Sequence, residues 1–272
     1  ACGEPAVLTQ DNAVTMAHPR NTLVCTELPY YRDIGYADLS DFFYIWLRRS
    51  LKETYPQMFL PMVTSKNELS TVSTYYGVPK EESEKTYRAD MLTVCGKLYE
   101  CCSEDYPALL FYCFRKNDLE SIKHSSIGST PSAWEFMLDS LLTAGFRISA
   151  VWPMRSEPVS EKADSTRVLI VTRKDTDRRG QITRRGFINT LKRELPEKLA
   201  RLWLGHVQPE DELLSCLGQG LSVFSAYESV LNADGFAMSV HDALQVIYLE
   251  CEDYIEQRKA ASSENAAESK EE

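Results

Sequence analysis

Apolar residues occur along this chain in two alternating patterns, short continuous runs and helical spacing. Runs over 21–26 and 106–114 predict two strands, and the second, YPALLFYCF, is typical of a strand buried on both faces of a parallel sheet. Two further runs, over 147–152 and 167–172, predict two more strands joined by a polar connection of about 14 residues. These four runs supply the strands of the expected sheet.

Helical spacing predicts a first helix over 38–51, directly after the first strand. Asp38 or Ser40 can cap this helix, because a short polar side chain can accept from the unpaired amides of its first turn. Its aromatic and aliphatic residues recur on one side, and we expect that side to lie in the core. These positions are Phe42, Phe43, Trp46, Leu47 and Leu51.

Two further helices are expected between the strands. One covers 80–102, and the other begins at Pro131 after a Thr130 cap and is closed by Gly145. The elements therefore follow the order strand, helix, strand, helix, strand, strand. This order indicates the second half of a doubly wound α/β sheet.

After the sheet the pattern becomes helical. One helix is expected over 184–204. The last helix is expected to begin after Ser239, which can cap it together with Asp242, three residues later. The GQG segment, 218–220, is expected to be a turn at a helix end. From Arg258 the composition changes to Ala, Ser, Glu and Lys, which predicts a disordered tail.

Composition bounds the organisation of the chain. Its 272 residues, 43% of them hydrophobic, are enough for one sizeable core. We expect an α/β domain over 1–175, a helical region over 176–257 and the tail over 258–272. No secretory signal opens the chain, and no apolar run approaches the roughly 20 residues that span a bilayer. A cytoplasmic protein with no membrane partner is therefore expected.

Cysteine and histidine spacing predicts no metal site. The eight cysteines form no C-x-x-C pair, and the four histidines include no pair at i, i+4. Small buried thiols in a reducing compartment are the expected interpretation.

Charge is distributed unevenly. The formal charge of −10 argues against a surface that binds nucleic acid throughout, yet the segment 172–193 is strongly basic. Such a run can hold phosphates through counterion release, or it can be a solvated loop and helix face, which the charge pattern alone favours. The basic residues are Arg173, Lys174, Arg178, Arg179, Arg184, Arg185, Lys192 and Arg193.

The first predicted strand ends in TELPYY, residues 26–31, at the edge where open α/β sheets bind ligands. An acid, a proline and an aromatic there suit transfer of a group onto the exocyclic amine of a nucleobase. That nitrogen is a poor nucleophile, and two oxygen acceptors that hold its hydrogens would activate it. The proline fixes the backbone, and an aromatic ring can stack on a flipped base. The alternative is a proline turn with two packed tyrosines.

Residues 26–51, TELPYYRDIGYADLSDFFYIWLRRSL, resemble the motif region of adenine-specific DNA methylases that carry a characteristic N-terminal domain of unknown function. That family reads approximately Thr-Asp-Pro-Pro-Tyr-Tyr-Asp, and Tyr36–Tyr44, YADLSDFFY, matches its continuation without a break. Weaker similarity covers 133–157 and 218–244. The resemblance implies a Rossmann-like methyltransferase that uses S-adenosylmethionine to methylate the amino group of adenine in double-stranded DNA.

Four catalytic residues follow from this resemblance. Tyr30 would stack on the flipped base, while Pro29 and the carbonyl of Leu28 would shape the acceptor edge. Glu27 stands where the family has Asp, and Leu28 stands where it has the first Pro. Because misplacing an acceptor by about 1 Å can cost about 10²-fold in rate, weakened or lost activity is expected.

The resemblance also implies contacts with cofactor and DNA. Tyr31 would contact DNA, and Asp11, after a possible strand over 6–10, would face the cofactor. With DNA as the expected substrate, Arg184 and Arg185 of the basic run would contact it as well. The family's Gly-rich cofactor turn precedes the catalytic motif, but the residues before the first strand hold only Gly3.

We therefore expect the C-terminal portion of an enzyme, a partial Rossmann-like sheet that lacks its first strands and has its missing N-terminal half as a partner. The alternative is a catalytically silent DNA-binding or protein-interaction remnant.

Overall fold

Four of the apolar runs pair into one mixed sheet in a computed structural model of the chain. The strands are β1 (Cys25–Glu27), β2 (Ala108–Arg115), β3 (Phe146–Met154) and β4 (Ser165–Lys174), in the order β1-β2-β4-β3. The structure describes residues 9, 11–17, 19–28, 36–64, 79–123, 132–154, 165–203, 208 and 211–268. The prediction of an α/β fold with these four strands is confirmed.

Strand directions divide the sheet into three parallel strands and one reversed strand. β1 pairs parallel with β2, whereas β4 pairs antiparallel with both β2 and β3. Burial along β2 alternates: Ala108, Leu110, Tyr112 and Phe114 are buried, and the positions between them are only half-buried. The prediction of a strand buried on both faces of a parallel sheet is therefore wrong, because β2 has an antiparallel neighbour and one tightly packed face.

Seven helices and a second, two-stranded sheet complete the described residues. β5 (Ile182–Thr183) and β6 (Val230–Leu231) pair parallel. The helices are α1 (Tyr36–Leu51), α2 (Lys80–Cys101), α3 (Lys116–Lys123), α4 (Ala133–Thr143), α5 (Arg184–Trp203), α6 (Glu212–Phe224) and α7 (Val240–Glu268).

Helix ends agree with the sequence at two positions. The Ser239 hydroxyl donates to the Asp242 carboxylate at 2.8 Å and accepts from the Asp242 amide at 3.1 Å, so the predicted cap of α7 is confirmed. Gly145, at φ +103°, closes α4 as expected.

Three other predicted helix ends differ. Asp38 and Ser40 lie inside α1 rather than at its cap. The cap of α4 is Ser132, whose hydroxyl accepts from the Glu135 amide at 3.3 Å; Thr130 and Pro131 lie outside the described residues. α7 continues to Glu268, well into the segment where a disordered tail was expected, because its Ala, Glu and Lys residues are good helix formers.

The prediction that the aromatic side of α1 lies in the core is wrong. Phe42, Phe43, Trp46 and Leu47 are 66%, 63%, 60% and 48% exposed. α1 instead turns a different face toward the segment that follows it, and polar side chains such as Arg48 hydrogen-bond to the main chain of that segment. The aromatic stripe is therefore a surface feature.

The GQG segment lies inside α6 and not at a helix end, so that prediction is wrong. Because glycine has no side chain, α6 can approach its neighbours closely at these positions. A Cβ on Gly218 would lie 2.7 Å from the Cβ and 2.8 Å from the amide nitrogen of Val151 in β3. A Cβ on Gly220 would overlap the side chain of Ile247 in α7. These two glycines permit close packing of α6 between the sheet and the last helix.

Cysteines behave largely as expected. Burial raises the pKa of the Cys95 thiol to about 12, and burial together with the neighbouring Cys101 raises that of Cys102 to about 11. All seven cysteines of the described residues are free; five are buried, Cys25 is exposed and Cys113 is half-buried. The prediction of small buried thiols is confirmed for those five.

The chain forms two compact units, one of Ala1–Leu28 with Val94–Glu272 and one of Pro29–Thr93. The helical region expected from 176 onward lies in the same unit as the sheet, because α6 packs directly on β3. No helix within the described ranges is long and apolar enough to cross a membrane.

Gly218→Ala should destabilise the protein by about 1–3 kcal/mol, because the added methyl group meets the main chain of a strand. Gly96→Ala is the matched control: Gly96 lies inside α2, and a Cβ there would meet nothing within 4 Å. The control should stabilise by about 0.5–1 kcal/mol through helix propensity. Urea denaturation measures both free energies of unfolding, and equal effects of the two changes would refute the close-packing role.

Candidate active site

The carboxyl end of β1 presents the acid of the sequence motif. β1 is held against β2 in parallel register, with Cys25 opposite Leu109 and Glu27 opposite Phe111. The Leu109 amide donates to the Val24 carbonyl at 2.9 Å. Glu27 is exposed at the end of this strand, on the edge where open α/β sheets bind ligands. The structure therefore places a carboxylate where the sequence predicted one.

Leu28 has a packing role that the sequence analysis missed. Its side chain is only 4% exposed, and Val24, four residues earlier, is also buried. The alternation of a strand then turns the Glu27 side chain away from the core. Leu28 thus anchors the strand end, and its main-chain carbonyl remains the predicted acceptor.

Three other predicted residues of the motif, Pro29, Tyr30 and Tyr31, lie outside the described residues, and their roles stay predictions. Asp11, the predicted cofactor residue, is exposed just before a turn at 13–15, and its carboxylate accepts from the Asn12 amide at 2.7 Å. The possible strand over 6–10 also lies outside the described residues, apart from Thr9.

A cavity of about 270 Å³ lies at the carboxyl end of β2, the neighbour of β1. Because β4 is antiparallel, its first residues reach the same edge, with Ser165 opposite Arg115. The cavity combines two cationic residues, one carboxylate and two hydroxyl groups with an apolar wall. Among its lining residues are Phe114, Arg115, Lys116, Ser165, Thr166 and Asp211. This combination suits a polar group with an apolar part.

Arg115 and Lys116 are residues that the sequence analysis missed. The available signal was their position, since both directly follow the apolar run of β2 and parallel strands end at the same edge. Lys116 is exposed, and Arg115 is half-buried. The carboxyl end of β2 therefore carries positive charge, four residues beyond Phe111, the partner of Glu27.

Asp118 fixes the backbone at this edge. Its carboxylate accepts from the Arg115 amide at 2.9 Å and from the Tyr112 hydroxyl at 3.3 Å, as a residue in the first turn of α3. The side chain is buried, and burial raises its pKa above the ordinary value, although the hydrogen bonds oppose that change. Asp118 thus positions the chain that carries Arg115 and Lys116.

The basic run does not gather at this edge. Because β4 runs opposite to β2, Arg173 and Lys174 at its end lie at the amino edge of the parallel strands, near Ala108. Arg173 donates to the Asp105 carbonyl at 3.2 Å, and the Lys174 ammonium lies 5.2 Å from the centre of the Tyr99 ring. The structure therefore does not bring these two cations to Glu27.

Most of the remaining run is neutralised by ion pairs with acidic side chains. Burial tends to raise the pKa of Glu194, but the Arg179 and Arg193 partners outweigh it and the pKa is lowered. The pairs are Arg178–Asp175 at 3.1 Å, Arg179–Glu194 at 3.0 Å, Arg193–Glu194 at 3.4 Å and Lys192–Glu250 at 3.7 Å. This pattern is typical of a solvated face.

Arg184 and Arg185 differ from the rest of the run. Both are exposed in the first turn of α5, and neither makes an ion pair within the described part of the chain. Cations at a helix amino terminus oppose the helix dipole, so these residues gain nothing locally from their charge. They follow β5, which belongs to a different sheet from β1, and their predicted contact with DNA stays a prediction.

A second polar cluster links α3, α4 and α7. The Ser121 hydroxyl donates to one oxygen of the buried Glu135 at 3.0 Å, and the His241 ring contacts the other oxygen at 2.8 Å. The acid therefore lies between the hydroxyl and the imidazole. A catalytic triad has the histidine in that position, so this cluster is a structural link between helices.

Comparisons with known proteins identify no relative: no family model, curated protein or solved structure matches this chain.

Asp118→Asn tests the burial of this carboxyl. Because the folded pKa is raised, the folded protein binds the proton more tightly, so the carboxyl contributes most below its ordinary pKa of 3.8. That contribution is lost as pH rises through the folded value. Urea denaturation across acidic pH should show wild type losing stability relative to Asp118→Asn as pH increases. A constant difference would contradict the burial of a titrating group.

Proposed function

We propose that the chain is part of an S-adenosylmethionine-dependent DNA methyltransferase that acts on the exocyclic amino group of adenine, with weakened activity. The observation that carries this proposal is the exposed Glu27 at the carboxyl end of β1, next to the buried Leu28. The resemblance of residues 26–51 supplies the reaction. The mixed sheet is compatible with the Rossmann-like fold that the resemblance implies, since such sheets can carry a reversed strand.

In the proposed reaction, the two acceptors act on the amino nitrogen of a flipped adenine. The Glu27 carboxylate accepts one amino hydrogen, and the Leu28 carbonyl accepts the other. This arrangement favours a more tetrahedral nitrogen, whose lone pair is less delocalised into the ring, and stabilises the positive charge that develops there. Tyr30 stacks on the base. Glu27 is about one methylene longer than Asp, which accounts for weakened activity.

The described residues alone do not fit the cofactor. They include no glycine before β1, and the Asp11 carboxylate already accepts a hydrogen bond from its neighbour. β1 pairs on one side only among the described strands, so its other edge offers main-chain groups for a further strand. We propose that a partner segment, the N-terminal half of such an enzyme, pairs there and completes the S-adenosylmethionine site.

Double-stranded DNA is the proposed substrate, and two pairs of cations are its candidate phosphate contacts. Arg115 and Lys116 lie at the carboxyl end of β2, the neighbour of β1, and the exposed Arg184 and Arg185 remain from the basic run. The overall negative charge means that binding depends on such local contacts. The exposed apolar face of α1 favours the alternative, a protein-interaction role, for that part of the chain.

Substitution of Glu27 in cells whose genome encodes this protein tests the proposed methylation with any partner segment present. Glu27→Ala should lower N6-methyladenine formation by about 10²–10³-fold through loss of an acceptor, whereas Glu27→Asp should raise it by up to about 10²-fold. Mass spectrometry of nucleosides from genomic DNA measures the product. Glu104→Ala, a change at an exposed position just before β2, is the control. Methylation that Glu27→Ala leaves unchanged would refute the proposal.

Salt dependence of DNA binding tests the phosphate contacts. Lys116→Ala and Arg184→Ala should each reduce the slope of log K against log salt by about 1, since each removes one phosphate contact. Arg178→Ala is the charge-matched control, because Arg178 already pairs with Asp175. Fluorescence anisotropy with a labelled duplex gives the slopes. Equal slopes for all three variants would exclude these contacts.

A further inference from the structure

α1 holds the segment that follows it, residues 52–64, through a polar face. The Tyr44 hydroxyl donates to the Pro61 carbonyl at 2.9 Å, and the Arg48 Nε donates to the Phe59 carbonyl at 3.0 Å. Phe59 is 6% exposed, with its ring 5.5 Å from that of Tyr44. The segment is therefore fixed to the helix by contacts that leave the apolar stripe of α1 unused.

Thr64, at the end of this segment, also hydrogen-bonds to α1. Its amide donates to the Asp41 carboxylate at 2.8 Å, and its hydroxyl donates to the Ala37 carbonyl at 2.7 Å. Positions 37, 41, 44 and 48 are spaced as one helix face. That face of α1 is therefore occupied by contacts with residues 59–64 of the same unit.

The opposite face of α1 is apolar and exposed. Its members are half to two-thirds exposed and span roughly 200° of the helix circumference at about 100° per residue. They are Tyr36, Leu39, Phe42, Phe43, Ile45, Trp46 and Leu47. A scattered exposed leucine is ordinary, but a contiguous aromatic and aliphatic face is a mark of an interface.

The area of this face matches what a dimer needs. Aromatic side chains bury about 150–250 Å² each and leucine and isoleucine somewhat less, so the seven at these exposures present roughly 700 Å². The largest apolar patch of a monomer is about 300–600 Å², and a standard interface uses about 800 Å² per partner. Met58 and Met62, which are 55% and 73% exposed in the following segment, add apolar surface to the unit.

Charges along α1 specify one occupant, a second copy in antiparallel orientation. Asp38 lies near the start of the helix and Arg49 near its end, and both are exposed. Eleven residues make about three turns, so the two lie on the same edge of the apolar face. A two-fold axis that pairs antiparallel helices brings each such edge against itself. Asp38 of one copy then faces Arg49 of the other, twice in each dimer.

We propose that two copies of this chain associate through the apolar faces of α1, packed antiparallel, with Asp38 and Arg49 fixing the register. An isologous pair is the commonest oligomer of soluble proteins, and a self-complementary patch is what such a pair requires. The inference rests on the surface of α1 alone and is independent of the proposed methyltransferase activity.

Sedimentation equilibrium of the full chain at micromolar concentration tests the association. The wild type should be a dimer, and Trp46→Glu should raise the dissociation constant by about 30-fold or more, because it places a charge in the interface. Phe236→Glu is the control, since Phe236 is 74% exposed but lies in the other unit. Far-ultraviolet circular dichroism checks that each variant is folded. A wild type that is monomeric throughout would overturn the proposal and leave the face to a different partner.

Charge exchange tests the antiparallel register without altering the apolar face. Asp38→Arg alone and Arg49→Asp alone should each weaken association, because like charges then meet at both ends. A one-to-one mixture of the two variants should restore it, since every pair in the mixed dimer joins opposite charges. A mixture that stays as weak as its components would overturn the register.

Discussion

The pairing of β1 with β2 determines where the candidate acceptors of Glu27 and Leu28 lie. β1 is only three residues long, and the burial of Val24 and Leu28 on either side of it holds it against its neighbour. With those two side chains in the core, the alternation of a strand leaves Glu27 exposed. A one-residue shift in register would turn the acid inward and Leu28 outward. The candidate acceptor pair therefore depends on the packing of a leucine as well as on the acid itself.

The direction of β4 determines which cations can serve that edge. Because β4 is reversed, the basic residues at its end lie at the amino edge of the parallel strands, and ion pairs neutralise much of the loop and helix that follow. Arg115, the last residue of β2, and Lys116, which follows it, lie at the carboxyl end of the parallel strands instead. The basic run in the sequence therefore does not predict which cations lie at the carboxyl edge, because the direction of β4 determines at which edge its last residues lie.

The strands could be predicted from apolar runs, and the last helix from its cap, because both signals are local. The glycines of α6 could not be interpreted this way: Gly218 and Gly220 are needed for contacts with Val151 and Ile247, which are distant in the sequence. The stripe of α1 was misread for a related reason. Helical spacing identifies an apolar face, but only the contacts of Tyr44 and Arg48 show which face the unit itself uses.

The proposed functions involve two surfaces, the end of β1 that presents Glu27 and the exposed apolar face of α1. The first belongs to the proposed reaction with adenine, and the second to association of the chain. Although α1 follows the TELPYY motif closely in the sequence, the two surfaces rest on separate observations. A loss of activity and a loss of association are for that reason distinct outcomes.

Photochemical cross-linking can show whether a nucleobase binds beside Glu27. A DNA duplex that carries 8-azidoadenine would be irradiated with the full chain, and the modified peptide would be identified by mass spectrometry. We expect cross-links within residues 26–31, where the flipped base would contact Glu27 and Tyr30. Cross-links confined to the first turn of α5, or none in excess of those formed with a duplex lacking the azide, would contradict this expectation.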